Sequence, residues 1–448
     1  MAPRRNTFSR NETLLLSSNR SQRSDYCVIF RGKHRLLMIV MIVLIVCAPI
    51  AYTLTSIIFH FYDPFKSDQK PVNGVFKFTT NSKNVSLHCP ERRIVGYYTE
   101  WEAPEITESQ LQKLTHVIFL FATIDMDATV KFASTNSEER FLVMKKKARE
   151  VNKDLKVMIS VGGWKDSFLF SPLVADLTKR KKLINSIAYF VTLHQIDGVE
   201  VFWIYSSRKD KENYLTFLRE LHQMLKSIQF VTSRTQHYSL SVVSSPFPPI
   251  LQNKYHWKEL MEEIDFINVL SYDYFHPNGI EKNKIIGPIA PVYGGKRGNV
   301  YDTMRYLTCE TRNPQKLNLA VAFYGTYWNN VSIPFSTDDI WMKDELNREE
   351  HRVRWRNLKT ELEKWQNIET KFHEKSKSSY IWIPESKIFM ALETERSLKE
   401  KMTFANQRGI GGITIWSIDQ DDDENTLLNV VITEKKCSYG REFKNTCY

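Results

Sequence analysis

The stretch Ile196–Ser207 reads IDGVEVFWIYSS. An apolar run bounded by Asp-Gly and Ser-Ser reads as a buried strand. Side chains on a strand alternate, so Glu200, Phe202 and Ile204 share one face. Tyr205 has the opposite parity and is expected to face the other way. Glu200 is the charge inside the run and reads as a buried carboxylate held by hydrogen bonds.

Working outward, eight such runs occur in order: Ile94–Tyr98, His116–Ala122, Lys156–Val161, Gly198–Phe202, Tyr238–Val243, Phe266–Leu270, Leu317–Ala322 and Gly412–Trp416. Amphipathic stretches such as Glu138–Asn152, Lys179–His194 and Lys211–Ser227 lie between them. Strands alternating with helices predict an α/β chain with a parallel sheet. Eight repeats predict a (β/α)8 TIM barrel spanning residues 92–433. The span from Phe323 to about Phe389 is too long for a plain crossover and reads as an insertion after the seventh strand. Its charged part, Asp344–Glu374, is expected to be helical with a solvated face.

Further motifs stand at the predicted strand ends. The first strand carries GYYTEW (Gly96–Trp101) and the third ends in SVGGW (Ser160–Trp164). The sixth reads NVLSYDY (Asn268–Tyr274), and the eighth GGITIWSIDQDD (Gly411–Asp422). Together these resemble the strand-end motifs of glycoside hydrolase family 18, the chitinase family, over Arg92–Thr433, with Leu270 in place of the usual Met. That family's fourth-strand signature is Asp-x-x-Asp-x-Asp-x-Glu. Asp197, Gly198, Trp203 and Tyr205 match the frame, but Glu200 replaces the middle Asp, Phe202 the third Asp, and Ile204 the catalytic Glu.

The resemblance implies a substrate-assisted mechanism in active members, where the Glu protonates the leaving oxygen and the Asp orients the acetamide. A positioned acid contributes about 10²–10⁴-fold in rate, and neither Ile204 nor Phe202 can do this work. Glu200 lies roughly 13 Å from position 204 along an ideal strand, too deep to substitute. A degenerate, catalytically inactive member is therefore expected. The resemblance also implies a sugar cleft lined by Tyr97, Trp101, Trp164, Tyr272, Asp273 and Trp416, with Trp416 as its floor and Tyr272 and Asp273 bonding an acetamide. Chitin or an N-acetylglucosamine oligosaccharide would be the ligand. Phe202 and Ile204 are expected to add bulk at the cleft's centre. The cysteine pair that often ties strands one and two in animal chitinases is replaced by Gly96 and Leu114. The acidic run Asp419–Glu424 reads as structural.

Leu36–Phe61 is 26 residues long without Asp, Glu, Lys or Arg, long enough to span a bilayer. It is longer and later than a cleaved signal peptide, the rival reading. Residues 1–35 carry eight Lys/Arg against Glu12 and Asp25. The positive-inside rule then predicts a signal-anchor helix in a type II, single-pass protein: a cytosolic basic tail (1–35), the transmembrane segment (36–61), a stalk (62–91), and the barrel outside or in the lumen. The nearest likeness is the membrane-anchored, degenerate chitinase-like proteins of nematodes.

The tail accounts for +6 of the net +11, so no nucleic-acid partner is expected. No metal or nucleotide motif is present, and no cofactor is expected. Asn84 and Asn330 head glycosylation sequons on the outer side. Cys89, Cys309, Cys437 and Cys447 permit three pairings. Cys437–Cys447 is the local choice within the tail 434–448, leaving Cys89–Cys309. Three functions stay open: a glycan-reading pseudoenzyme, a scaffold or signalling protein without a glycan ligand, and a glycosidase with a displaced acid.

Overall fold

A computed structural model of the protein describes residues 92–275, 285–295, 298–331, 340–343, 350–365, 368–433 and 447. The tail 1–35, Leu36–Phe61, the stalk 62–91, Asn84, Cys89 and Cys437 lie outside the described residues. Among the described residues, no helix is long and apolar enough to cross a membrane.

Eight parallel strands form the barrel, β1 (Arg93–Thr99), β2 (His116–Ile124), β3 (Lys156–Gly162), β4 (Gly198–Phe202), β5 (Ser239–Ser244), β6 (Phe266–Val269), β7 (Leu317–Ala322) and β8 (Gly412–Trp416), and a short strand, Val130–Phe132, adds antiparallel to the end of β2. Each pairs with the next, β7 with β8 across the insertion in sequence, and β8 pairs with β1 to close a (β/α)8 barrel. The helices between them begin at polar caps: Ser134, Asp176, Asn299 and Thr394 each accept a hydrogen bond from a first-turn amide.

Alternation along the strands divides the core into two layers. Val199, Val201 and Trp203 pack outward against the helices, where Trp203 stacks on Phe170 with centroids 5.2 Å apart. Phe202 points inward with Tyr97, Met158, Phe266 and Trp416. At the start of β4 a side chain at Gly198 would place its Cβ 2.2 Å from the Ser239 carbonyl oxygen. Glycine is what allows β4 and β5 to meet there. Asp197 beside it sits between Arg149, at 2.8 Å, and Arg234.

A polar network occupies the inner layer. Glu200 is fully buried and accepts from the Tyr97 hydroxyl (2.8 Å), the Ser160 hydroxyl (2.7 Å) and the Asn268 amide (2.6 Å). The Asn268 oxygen in turn accepts from Asn318 at 2.8 Å and Thr414 at 2.6 Å. Burial raises the Glu200 carboxyl above its ordinary range, opposed by its three donors.

The insertion corrects one expectation. Asp344–Glu374 is not a helical segment: of its described residues only the turn Trp355–Asn357 and the helix Leu358–Leu362 are helical. Glu350–Arg354 and Thr370–His373 are the two edges of a five-stranded antiparallel sheet, with Tyr324–Trp328, Ile388–Leu392 and Ser378–Ile383 between them. The charged side chains stand on strands whose apolar partners, Val353, Ile381 and Met390 among them, form a separate small core.

The disulfide is a second correction. Cys447 bonds Cys309, with Cα atoms 5.4 Å apart, rather than Cys437. Cys309 stands on the helix Val300–Thr311. Loop-closure cost grows only logarithmically with separation, so nearness in sequence is a weak guide to pairing.

The loop after β8 is clasped to β1. Asp419 accepts from the Thr99 amide (2.9 Å), the Thr99 hydroxyl (2.7 Å) and the Ser417 hydroxyl. Asp421 accepts from the Leu427 and Leu428 amides. These carboxylates serve as backbone anchors.

Two predictions follow from these contacts. Gly198→Ala should lose about 1–3 kcal/mol of stability, read from the midpoint of chemical unfolding, because two strands must move apart; an unchanged midpoint would contradict the close approach. Asp419 is raised to about 6, chiefly by burial. The folded chain therefore binds this proton more tightly than the unfolded chain. Its stabilising contribution is complete below about pH 4 and fades as pH rises through about 6, by roughly 3 kcal/mol in total. Comparing Asp419→Asn with the native chain from pH 4 to pH 7, the native chain should show the steeper loss; parallel profiles would refute this origin.

Candidate functional site

At the C-terminal ends of the strands lies a cleft of about 710 Å³. Trp416, at the end of β8, is 6% exposed and forms its floor. Trp164 meets Trp416 edge-on with centroids 4.9 Å apart, and Trp101 lies 6.4 Å from it at a tilt. Trp101 and Trp164 are 48% and 39% exposed, so large aromatic faces stay open to the cleft. Tyr97 lies beneath, 5.4 Å from Trp416 and wholly buried.

β6 supplies Tyr272 and Asp273 just past its end. Asp273 adopts a left-handed backbone (φ 57°), which Asp tolerates better than most residues. Its carboxylate accepts from the Tyr324 hydroxyl at 2.7 Å and from Arg352 at 2.8 Å. Arg352 also pairs with Glu350 at 3.2 Å. Burial pulls the Arg352 guanidinium down, but Tyr324, Asp273 and Glu350 outweigh it and hold it above its ordinary value. The Tyr272 hydroxyl is buried and, among the described residues, has no hydrogen-bond partner. Burial raises it well above the usual phenol range, so it stays protonated and able to donate.

Of the six side chains expected to line the cleft, Trp101, Trp164, Tyr272, Asp273 and Trp416 do so. Tyr97 does not; it supports the floor and binds Glu200 instead. Phe202 is wholly buried against Phe121 (5.1 Å) and Trp164 (4.9 Å). Ile204 is half-buried against the same inner cluster. Neither is among the residues that line the cleft. Asn330 is exposed just after Tyr324–Trp328.

Tyr205 is a correction. It lines the cleft and is 57% exposed. β4 ends at Phe202, so strand parity does not carry to position 205; the Tyr205 amide instead donates to Ser167 at 3.0 Å. Tyr324, Arg352, Arg354, Glu102, Phe247 and Gln420 also line the cleft and were missed. The alternation Glu350, Arg352, Arg354 was the available signal for the cleft wall, since a period of two marks a strand.

Comparison with known proteins agrees with this architecture. The chain is 25% identical over 374 residues to human chitinase-3-like protein 2, covering 78% of this chain and 89% of that protein. It is 26% identical over 352 residues to a probable endochitinase of Caenorhabditis elegans, of which it spans 56%. Among solved structures, human YKL-39, described as a pseudo-chitinase with retained chitooligosaccharide binding, superposes with a TM-score of 0.68 at 22% identity. That match covers 77% of this chain and 99% of YKL-39. The family model for glycosyl hydrolases family 18 matches residues 93–421. The barrel, its cleft at the strand ends and this match over most of the chain agree: the protein belongs to glycosyl hydrolase family 18.

Proposed function

We infer that this chain is a catalytically inactive chitinase-like protein, of the membrane-anchored kind found in nematodes, that reads chitin or N-acetylglucosamine-type glycans. One observation carries the reading. The position matched to the general acid holds Ile204 and that of its neighbour holds Phe202, while an aromatic cleft of about 710 Å³ stays open above them. Among the described residues lining that cleft, the carboxylates are Glu102 and Asp273, and both are paired with arginines. Glu200 is spent on Tyr97, Ser160 and Asn268 inside the barrel.

Sugar recognition needs no general acid. A pyranose ring lies on Trp416, the protonated Tyr272 hydroxyl donates to an acetamide oxygen, and Trp101 and Trp164 extend the platform. The chitooligosaccharide binding stated for YKL-39 supports this reading. Leu36–Phe61 would hold the protein in a membrane as a type II glycoprotein, with residues 1–35 cytosolic and Asn84 and Asn330 glycosylated on the far side.

The test is calorimetric titration of the full-length chain, in detergent or nanodiscs, with N-acetylglucosamine oligomers. Saturable binding without cleavage is expected, and Trp416→Ala should weaken it roughly tenfold with folding intact. No binding by a folded chain would favour a scaffold role. Turnover abolished by Glu200→Gln would overturn the inactive reading altogether.

A further inference from the structure

Beside Trp101, the cleft wall holds one acceptor that the described residues leave unfilled, next to a carboxylate that is ion-paired on one side only. Glu102 is 5% exposed and Gln420 is 7% exposed, and both line the cleft. The Gln420 amide nitrogen donates to Glu102 Oε1 at 3.3 Å, which places the two side chains side by side. The amide oxygen, Gln420 Oε1, is buried without a hydrogen-bond partner. Glu102 Oε2 lies against Arg354 Nε as an ion pair but accepts no well-directed hydrogen bond. The clasp between Thr99 and Asp419 fixes both positions, since Glu102 donates its amide to Thr99 Oγ1 at 3.2 Å and Gln420 follows Asp419.

A buried acceptor without a donor is costly unless a ligand supplies one. The charges nearby do not oppose a cation. Arg352 is shared by Asp273 and Glu350, and Arg354 is matched by Glu102, so both guanidinium charges of the wall are neutralised by carboxylates.

The geometry points to a subsite for an amino sugar bearing a free ammonium, set over Trp101 next to the N-acetyl sugar over Trp416. The preferred ligand is then a partly deacetylated chito-oligosaccharide. An ammonium offers three donors and no acceptor, which suits Gln420 Oε1 and the Glu102 carboxylate together. An acetamide offers one N–H and places a carbonyl oxygen where two acceptors already stand, so it is disfavoured in this subsite. Tyr272 presents the opposite chemistry at the floor, a hydroxyl able to donate to an acetamide oxygen. The cleft thus distinguishes the two sugar types by position. This inference deepens the glycan-reading function proposed above and rests on it.

The test titrates the full-length chain with three probes: the fully acetylated tetramer, a tetramer with one internal glucosamine, and the fully deacetylated tetramer. The mixed tetramer should bind about tenfold more tightly than the acetylated one, as expected for a charge-assisted hydrogen bond gained. The ratio should fall to near one in Gln420→Leu and in Glu102→Gln, each checked for folding by its melting temperature. Gln420→Leu leaves the ion pair with Arg354 intact and serves if Glu102→Gln does not fold. Equal affinities for the mixed and acetylated tetramers, or a preference that survives Gln420→Leu, would overturn the subsite while leaving glycan reading in place. Tightest binding by the fully deacetylated tetramer would also overturn it, because the Trp416 position would then not select an acetamide. Binding of none of the three by a folded chain would overturn both.

Discussion

Glu200 is a carboxylate with no access to water, placed where six strands of a closed barrel converge. Three donors from β1, β3 and β6 satisfy it, and Asn268 passes the network on to β7 and β8. A charge or partial charge removed from solvent costs several kcal/mol unless it is hydrogen-bonded. The network is thus a condition on the whole barrel: each strand must sit in the register that brings its polar group to the centre. The tight pairing of Gly198 with Ser239 enforces the same register from the edge of β4.

Above that layer the chemistry changes from polar to aromatic. Phe202 stands one step higher on β4 than Glu200, and it meets Phe121 and Trp164 rather than hydrogen-bond donors. The floor of the cleft is held by ring contacts to Tyr97, Trp164 and Trp101. Its walls are held by ion pairs that reach from the insertion to the barrel, Arg352 to Asp273 and Arg354 to Glu102. Without the inserted sheet the cleft would lose one side, because Tyr324, Arg352 and Arg354 all belong to it.

The barrel strands were legible because each one buries both faces, and an apolar run between turn residues leaves few other readings. Their ends agree with the structure to within two residues, the largest shift being the extension of β2 from Ala122 to Ile124. The inserted sheet was not legible for the opposite reason. Glu350–Arg354 buries only Val353, so its composition matches a solvated helix as well as an edge strand. Tyr205 was misplaced because parity fails once a strand ends, and only the amide bond to Ser167 shows where that happens. The Cys309–Cys447 bond joins residues 138 positions apart, a tertiary fact with no local signal. Glu102 and Gln420 were hidden too, since two residues 318 positions apart become neighbours only through the clasp of Asp419 on Thr99.

Catalysis and recognition make different demands on such a cup. An acid and its partner carboxylate must be buried among aromatic rings, where their desolvation is unfavourable and must be offset by the rest of the fold. Phe202 lies in the inner apolar cluster and Ile204 packs against it, and on the reading proposed here they remove that demand. Stacking on Trp416 and hydrogen bonding to Tyr272 need rigid rings and a held phenol, neither of which depends on a carboxylate at position 204. On the reading proposed here, a barrel that exchanges its acid for packing keeps the surface that reads sugar. On the reading proposed here, the groups that then decide which sugar is read are the wall residues, whose unfilled hydrogen-bonding capacity the barrel tolerates because the clasp between β1 and β8 holds them in place.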